Sequence, residues 1–158
     1  MSHTPAKRFF VTSGKGISEL STLNAFDAAL VSAGIGQCNL VPVTSIIPIG
    51  AVHVREARIL PGTVTFVVLA HTEGCADETL SAAVAWGMTS AGYGMVFEVA
   101  GRADRAEVER QARDGLNGMA RPRRVSLKDI EVRAESLVVE RGFGSVVAAL
   151  VLLQRGNR

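Results

Sequence analysis

Three polar groups stand among apolar neighbours, and each is of a type that can do chemistry. Asp27 lies in Leu23-Asn-Ala-Phe-Asp-Ala-Ala-Leu30. At 100° per residue Leu23, Phe26, Leu30, Val31 and Ala33 form one arc of a helix, and Asp27 falls inside it, between Leu23 and Val31. A carboxylate there is either an edge-of-core Asp paired with an arginine or a group facing a pocket that expects a cation, because a buried charge needs a partner. Glu98 lies in Gly94-Met-Val-Phe-Glu-Val99. Alternation puts it on the face of Val96, with Met95, Phe97 and Val99 on the other. A strand apolar on both faces is expected to bury Glu98 and raise its pKa. It is then either half of a structural ion pair or, held protonated near neutral pH, a proton donor to a carbanion. The third feature is Val43-Thr-Ser-Ile-Ile-Pro48 at the end of a strand. A Thr-Ser pair in a turn is usually only that. A serine hydroxyl beside a strained carbonyl can nevertheless attack it and turn the amide into an ester.

The elements that must position these groups follow from periodicity and turn chemistry. Arg8 to Thr12 reads as a short strand, with Ser13-Gly-Lys-Gly16 as a turn after it. Ser21 or Thr22 can cap a helix that runs to about Ala33 and ends at Gly34. Cys38 to Thr44 is a strand whose Pro42 forbids a fully paired central position. Ala51 to Ile59 and Thr63 to Ala70 read as strands around Pro61-Gly62. The alanine-rich run from Asp77 to about Ser90 predicts a helix. Gly94 to Val99 is a strand, and Ala103 to about Ala120 a solvated helix with a narrow apolar stripe. Ile130 to Val139 alternates with period two. Gly142 to Leu153 is apolar on both faces, as a central strand should be. Helices do not follow every strand, which favours antiparallel sheets with helices on their outer faces.

Composition narrows the function. A chain of 158 residues, 47% hydrophobic and 20% charged, has the size of one domain with a sizeable core. A net charge of +2 is too small to point to nucleic acid or an anionic membrane. The stretch Arg121-Pro-Arg-Arg124 has no RNA-binding signature beside it. No apolar leader precedes Arg8, and the longest apolar run, Ser145 to Leu153, is too short to span a membrane, so a soluble cytoplasmic protein is expected. Cys38 and Cys75 read as small buried thiols in a reducing compartment. His3, His53 and His71 lack ligand spacing, and no metal is expected. Gly34-Ile-Gly36, Gly92-Tyr-Gly94 and Gly142-Phe-Gly144 are not dinucleotide fingerprints, and Ser13-Gly-Lys-Gly16 is not a phosphate loop. Only Lys7, Lys15 and Lys128 could anchor a lysine-bound cofactor.

Taken in order, Leu23-Asn-Ala-Phe-Asp-Ala-Ala-Leu30, Ala33-Gly-Ile-Gly36, Asn39-Leu40, Thr44-Ser-Ile-Ile-Pro48 and Gly94-Met-Val-Phe-Glu98 resemble the pyruvoyl-dependent arginine decarboxylases. The likeness runs from about Val11 to Leu152, and Glu78-Thr-Leu-Ser-Ala-Ala83 and the apolar C-terminal strand agree with it. It implies an α+β fold, a four-layer αββα sandwich of mainly antiparallel sheets with outer helices. The single domain, 1–158, would cleave itself into 1–44 and 45–158. The Ser45 hydroxyl would attack the Thr44 carbonyl, and β-elimination and hydrolysis would leave a covalent pyruvoyl cofactor derived from Ser45. That ketone would form a Schiff base with L-arginine and release CO2 and agmatine.

By the same resemblance Glu98 would return a proton to the α-carbon. Asn39 would support the cleavage geometry through hydrogen bonds, and Asp27 would hold the guanidinium. The resemblance also implies a homotrimer or a dimer of trimers, with sites between neighbouring subunits. Two departures bear on this. Thr44 stands where some members have Ser, and Gly50 to Pro61, a segment that could shape the pocket, departs from the pattern. The same chemistry on lysine or ornithine therefore stays open. So does an uncleaved, non-catalytic trimer that binds arginine or a polyamine.

Overall fold

A computed structural model describes residues 5–154. Among these residues nine strands and two helices build four layers. The first sheet holds β1 (Arg8–Ser18), β2 (Asn39–Pro42), β4 (Val52–His53), β5 (Val64–Cys75) and β9 (Phe143–Leu153), in the order β2-β5-β9-β1-β4. The second holds β3 (Ile46–Ile47), β6 (Thr79–Thr89), β7 (Gly94–Gly101) and β8 (Leu127–Val138), in the order β3-β7-β6-β8. Pairing is antiparallel except for β1 with β4 and β2 with β5. Helix α1 (Thr22–Ser32) covers the outer face of the first sheet and α2 (Arg105–Arg123) that of the second. The expected α+β sandwich, helix outside sheet on both sides, is the architecture found.

The sheets face each other through one apolar core. Val68, Ala70, Val146, Ala148 and Leu150 of the first sheet meet Leu80, Ala82, Val84 and Val96 of the second. Strand β9 has Val147, Ala149 and Val151 on its other face, beneath α1, so it is buried on both sides. Pro42 sits on β2, an edge strand, where its missing N–H costs no ladder bond.

Three elements differ from the sequence reading. Residues 79–89 form β6, not a helix. The run lies between β7 and β8, with Leu80, Ala82, Val84 and Trp86 toward the other sheet and Ala83 and Ala85 beneath α2. Alanine there makes room for Val108, Ala112 and Leu116 of α2; burial on both faces overrides helix propensity. Ser13-Gly-Lys-Gly16 is the middle of β1, not a turn. A β-carbon on Gly16 would stand 2.5 Å from the Ala25 carbonyl oxygen, and one on Gly14 2.4 Å from that of Ala29. These glycines let the backbone of α1 lie against the backbone of β1. Thr12 ties down the far end of the helix, its hydroxyl donating to the Ala33 carbonyl at 2.7 Å. Of the strand expected over 51–59 only Val52–His53 pairs, with Val52 N–H on the Lys7 carbonyl and Val54 N–H on that of Phe9.

Candidate active site

The chain changes sheets at Thr44–Ser45. On one side, Val43 N–H donates to the Val67 carbonyl at 2.9 Å, extending the pairing of β2 with β5. On the other, Ile46 and Ile47 pair with Met95 and Gly94 as edge strand β3. Ser45 lies at a bend between them, half-buried, and Thr44 is exposed. The Ser45 carbonyl accepts from Val96 N–H at 2.8 Å. Each flank is thus held by its own sheet, so a break of the 44–45 peptide would leave both ends anchored. Ser45 thus stands at a bend directly after an exposed residue, with its hydroxyl one residue from the Thr44 carbonyl.

Glu98 follows two residues after Val96 on β7 and lies opposite Val84, so it shares the face that looks toward the first sheet. Met95, Phe97 and Val99 turn to α2, as alternation predicts. In the single chain Glu98 is exposed rather than buried, because it stands past Val96 toward the end of the inter-sheet core. Partial desolvation still raises its pKa above the ordinary carboxylate value, opposed in part by a hydrogen bond from its own backbone N–H.

Asp27 and Asn39 lie elsewhere in the single chain. Helix α1 buries Ala25 and Ala29 against β1, so Asp27 is exposed, and Leu23 and Val31 are exposed with it at 73% and 64%. Of the expected arc, Phe26, Leu30 and Ala33 pack toward the sheet, while Leu23, Asp27 and Val31 face away from it. The sequence could not tell this, because it does not show that Gly14 and Gly16 select the alanine face for contact. Asn39 begins β2, its side-chain amide donating to the Gly62 carbonyl at 3.0 Å. Four residues of extended chain, about 13 Å, separate it from Val43.

Sequence reasoning missed a cleft between α1 and β5. His71 and Glu73 are two apart on β5, with His71 Nδ1 and Glu73 Oε1 2.7 Å apart. The His71 ring stands 4.7 Å from that of Phe26. Together with Thr22 and Leu23 they line a cleft of about 320 Å³. Leu23 is one helical turn before Asp27, so the cleft adjoins it. The signal available was a His and a Glu at i and i+2 on one strand face. A larger cavity of about 500 Å³, lined by Asp114, Asn117 and Arg121, lies along α2 and includes none of the candidate residues.

Both cysteines are free, but Cys75 is exposed and only Cys38 half-buried, unlike the buried thiols expected. His3 lies outside the described residues. Among those described, no helix is long and apolar enough to cross a membrane.

Comparison with known proteins bears on the whole chain. The family described as pyruvoyl-dependent arginine decarboxylase matches residues 8–157. Pyruvoyl-dependent arginine decarboxylase of Methanopyrus kandleri is 34% identical over 146 residues, 92% of this chain and 95% of that protein. The protein of that name from Methanothermobacter thermautotrophicus is 36% identical over 133 residues, 83% of this chain and 87% of its own. That of Thermococcus kodakarensis is 32% identical over 158 residues, 96% and 98% of the two chains. A chain matched over nearly all its length, carrying Ser45 at the bend where it passes from one sheet to the other, belongs to the pyruvoyl-dependent arginine decarboxylase family, whose cofactor is a pyruvoyl group.

Proposed function

We propose that this protein processes itself between Thr44 and Ser45 and then converts L-arginine to agmatine and CO2. The observation that supports this best is the place of Ser45, at the crossing between sheets, with its carbonyl held by Val96 and each flank anchored separately. In the processing step the Ser45 hydroxyl adds to the Thr44 carbonyl and the C–N bond breaks, giving an ester. Loss of the Ser45 α-proton and of the Cβ–O bond frees residues 1–44 as a carboxylate and leaves dehydroalanine. Water then replaces its nitrogen, released as ammonia, and a ketone caps residues 45–158. Serine is required because one oxygen is both nucleophile and leaving group.

The pyruvoyl group supplies a carbonyl that takes the substrate amine and accepts the electrons released with CO2. Glu98 delivers a proton to the α-carbon, a role its raised pKa favours by keeping a larger protonated fraction. Asp27 holds the guanidinium by charge-assisted hydrogen bonds. Asn39 supports cleavage as a positioning residue, fixing the start of the strand that leads into Thr44.

Asp27 meets this site through a second copy of the chain. The exposed Leu23 and Val31 beside it support burial of that helix face in a trimer or a dimer of trimers. The protein acts in the cytoplasm, where its free thiols would stay reduced.

Intact mass spectrometry of the purified protein, alongside CO2 release from arginine, lysine and ornithine, tests the reading. Two fragments, 1–44 and 45–158, with loss of activity on borohydride reduction, are expected. An intact chain that decarboxylates arginine would refute the mechanism. An intact chain that binds arginine without turnover would instead identify a non-catalytic binding trimer, and faster release from lysine or ornithine would reassign the substrate.

A further inference from the structure

A third concave site lies where β1, β4, β6 and β8 come together, lined by neither Ser45 nor any residue of α1. Phe9, Ala51, His53, Trp86 and Met88 are among the residues lining a cavity of about 150 Å³, with Lys128, Asp129 and Glu131 completing it. Its walls are aromatic. The rings of Phe9 and His53 stack with centroids 4.9 Å apart and planes 4° apart, and His53 meets Trp86 edge-on at 5.7 Å. Phe9 and Trp86 are buried, so these walls are fixed by the core.

The charged side is built by an irregularity in the ladder. Trp86 pairs with Glu131 and Met88 with Lys128, so Asp129 and Ile130 both stand opposite Gly87. Asp129 takes a left-handed conformation, φ 51°, to accommodate the extra residue. A bulge of this kind re-aims side chains, and here it brings two carboxylates and one ammonium to one cavity. Among the described residues, Lys128, Asp129 and Glu131 have no ion pair or side-chain hydrogen bond. Two carboxylates against Lys128 leave the charged side net negative.

We infer that this cavity binds a small planar organic cation of the guanidinium type. A guanidinium is flat and weakly hydrated, lies well against aromatic rings, and offers several N–H donors to carboxylates, whereas an ammonium holds its water more strongly. The volume admits a head group of this size and little more. The site stands independently of the self-cleavage and decarboxylation reading, since it uses none of Asp27, Asn39, Ser45 or Glu98.

Trp86 is the only tryptophan of the chain and lines this cavity, so its fluorescence responds to occupancy there. The full-length protein is titrated with methylguanidinium chloride at non-denaturing concentrations, and in parallel with neutral methylurea and with sodium chloride. A saturable change in emission with methylguanidinium, absent from both controls, is expected. In Asp129→Asn/Glu131→Gln the midpoint should move at least tenfold higher with circular dichroism unchanged, and in Asp27→Asn it should not move. A non-saturating response, an equal response to methylurea, or an unmoved midpoint in the double variant would overturn the assignment. A midpoint shifted by Asp27→Asn would overturn it too, since the reporter would then be following the α1 face.

Discussion

Val96 N–H donates to the Ser45 carbonyl at 2.8 Å, and two residues further along the same strand Glu98 stands on the same face as Val96. One strand therefore both fixes the residue that would be modified and carries the proposed proton donor. The tie is between backbone groups, so it does not depend on the Ser45 side chain. Loss of the hydroxyl should leave the crossing in place.

Ser45→Ala is accordingly expected to fold, to run as one chain of intact mass and to release no CO2 from arginine. Circular dichroism and a melting temperature within a few degrees of the parent would show that the β3–β7 pairing persists. A cleaved Ser45→Ala chain would remove Ser45 as the nucleophile.

Glu98→Gln should lower kcat by about 10²-fold or more while changing arginine affinity little, since the proton is needed after binding. A large rise in KM at unchanged kcat would make Glu98 a binding group instead. Stability supplies an independent check. The raised pKa means that the native state holds the proton more tightly than the unfolded chain, so stability falls as pH rises from the ordinary carboxylate value of about 4.5 through the folded value. Replacement by Gln should flatten that decline, read from denaturant midpoints across the carboxylate range in the Ser45→Ala background. An unaltered pH slope would show that Glu98 is not the group responsible.

Much of this was legible in the sequence, and the misses share a cause. Strand β9 announced itself because both its faces are apolar, and β7 because Glu98 is the one charge in a short β-branched and aromatic run. The capped start of α1 was readable from Ser21, whose hydroxyl accepts from Asn24 N–H. Residues 79–89 misled because alanine favours a helix locally, and only the neighbours on both faces turn the run into a strand. The arc around Asp27 misled in the same way. Periodicity finds a stripe on a helix, but the partner backbone decides which stripe is buried. Here Gly14 and Gly16 chose Ala25 and Ala29, leaving Leu23, Asp27 and Val31 outward. The separation of Asp27 from Ser45 in one chain is a consequence no local pattern carries.

Asp27→Asn tests whether that outward carboxylate meets substrate. The arginine KM should rise about tenfold or more, as expected for loss of a charge-assisted hydrogen bond of about 1.5–3 kcal/mol, with self-cleavage unaffected. Measured against lysine and ornithine, the loss should be largest for the guanidinium substrate. An arginine KM equal to the parent's would take Asp27 out of the site.

Gly16→Ala tests the contact that orients α1. The added carbon would meet the Ala25 carbonyl oxygen and the Ala29 nitrogen, both at 2.5 Å, and both are backbone atoms that move only if the helix moves. A loss of about 3 kcal/mol, the upper part of the range for overpacking, is expected in the Ser45→Ala background, where scission cannot contribute. For a domain of this size that lowers the melting temperature by roughly 6–12 °C. Gly118, on the exposed side of α2, has nothing within 4 Å of its added carbon. There the same substitution should stabilise by about 0.5–1 kcal/mol, because alanine is the better helix former. Opposite signs at the two positions would separate close backbone approach from glycine's intrinsic flexibility, and a neutral Gly16→Ala would mean that α1 does not rest on β1 as described.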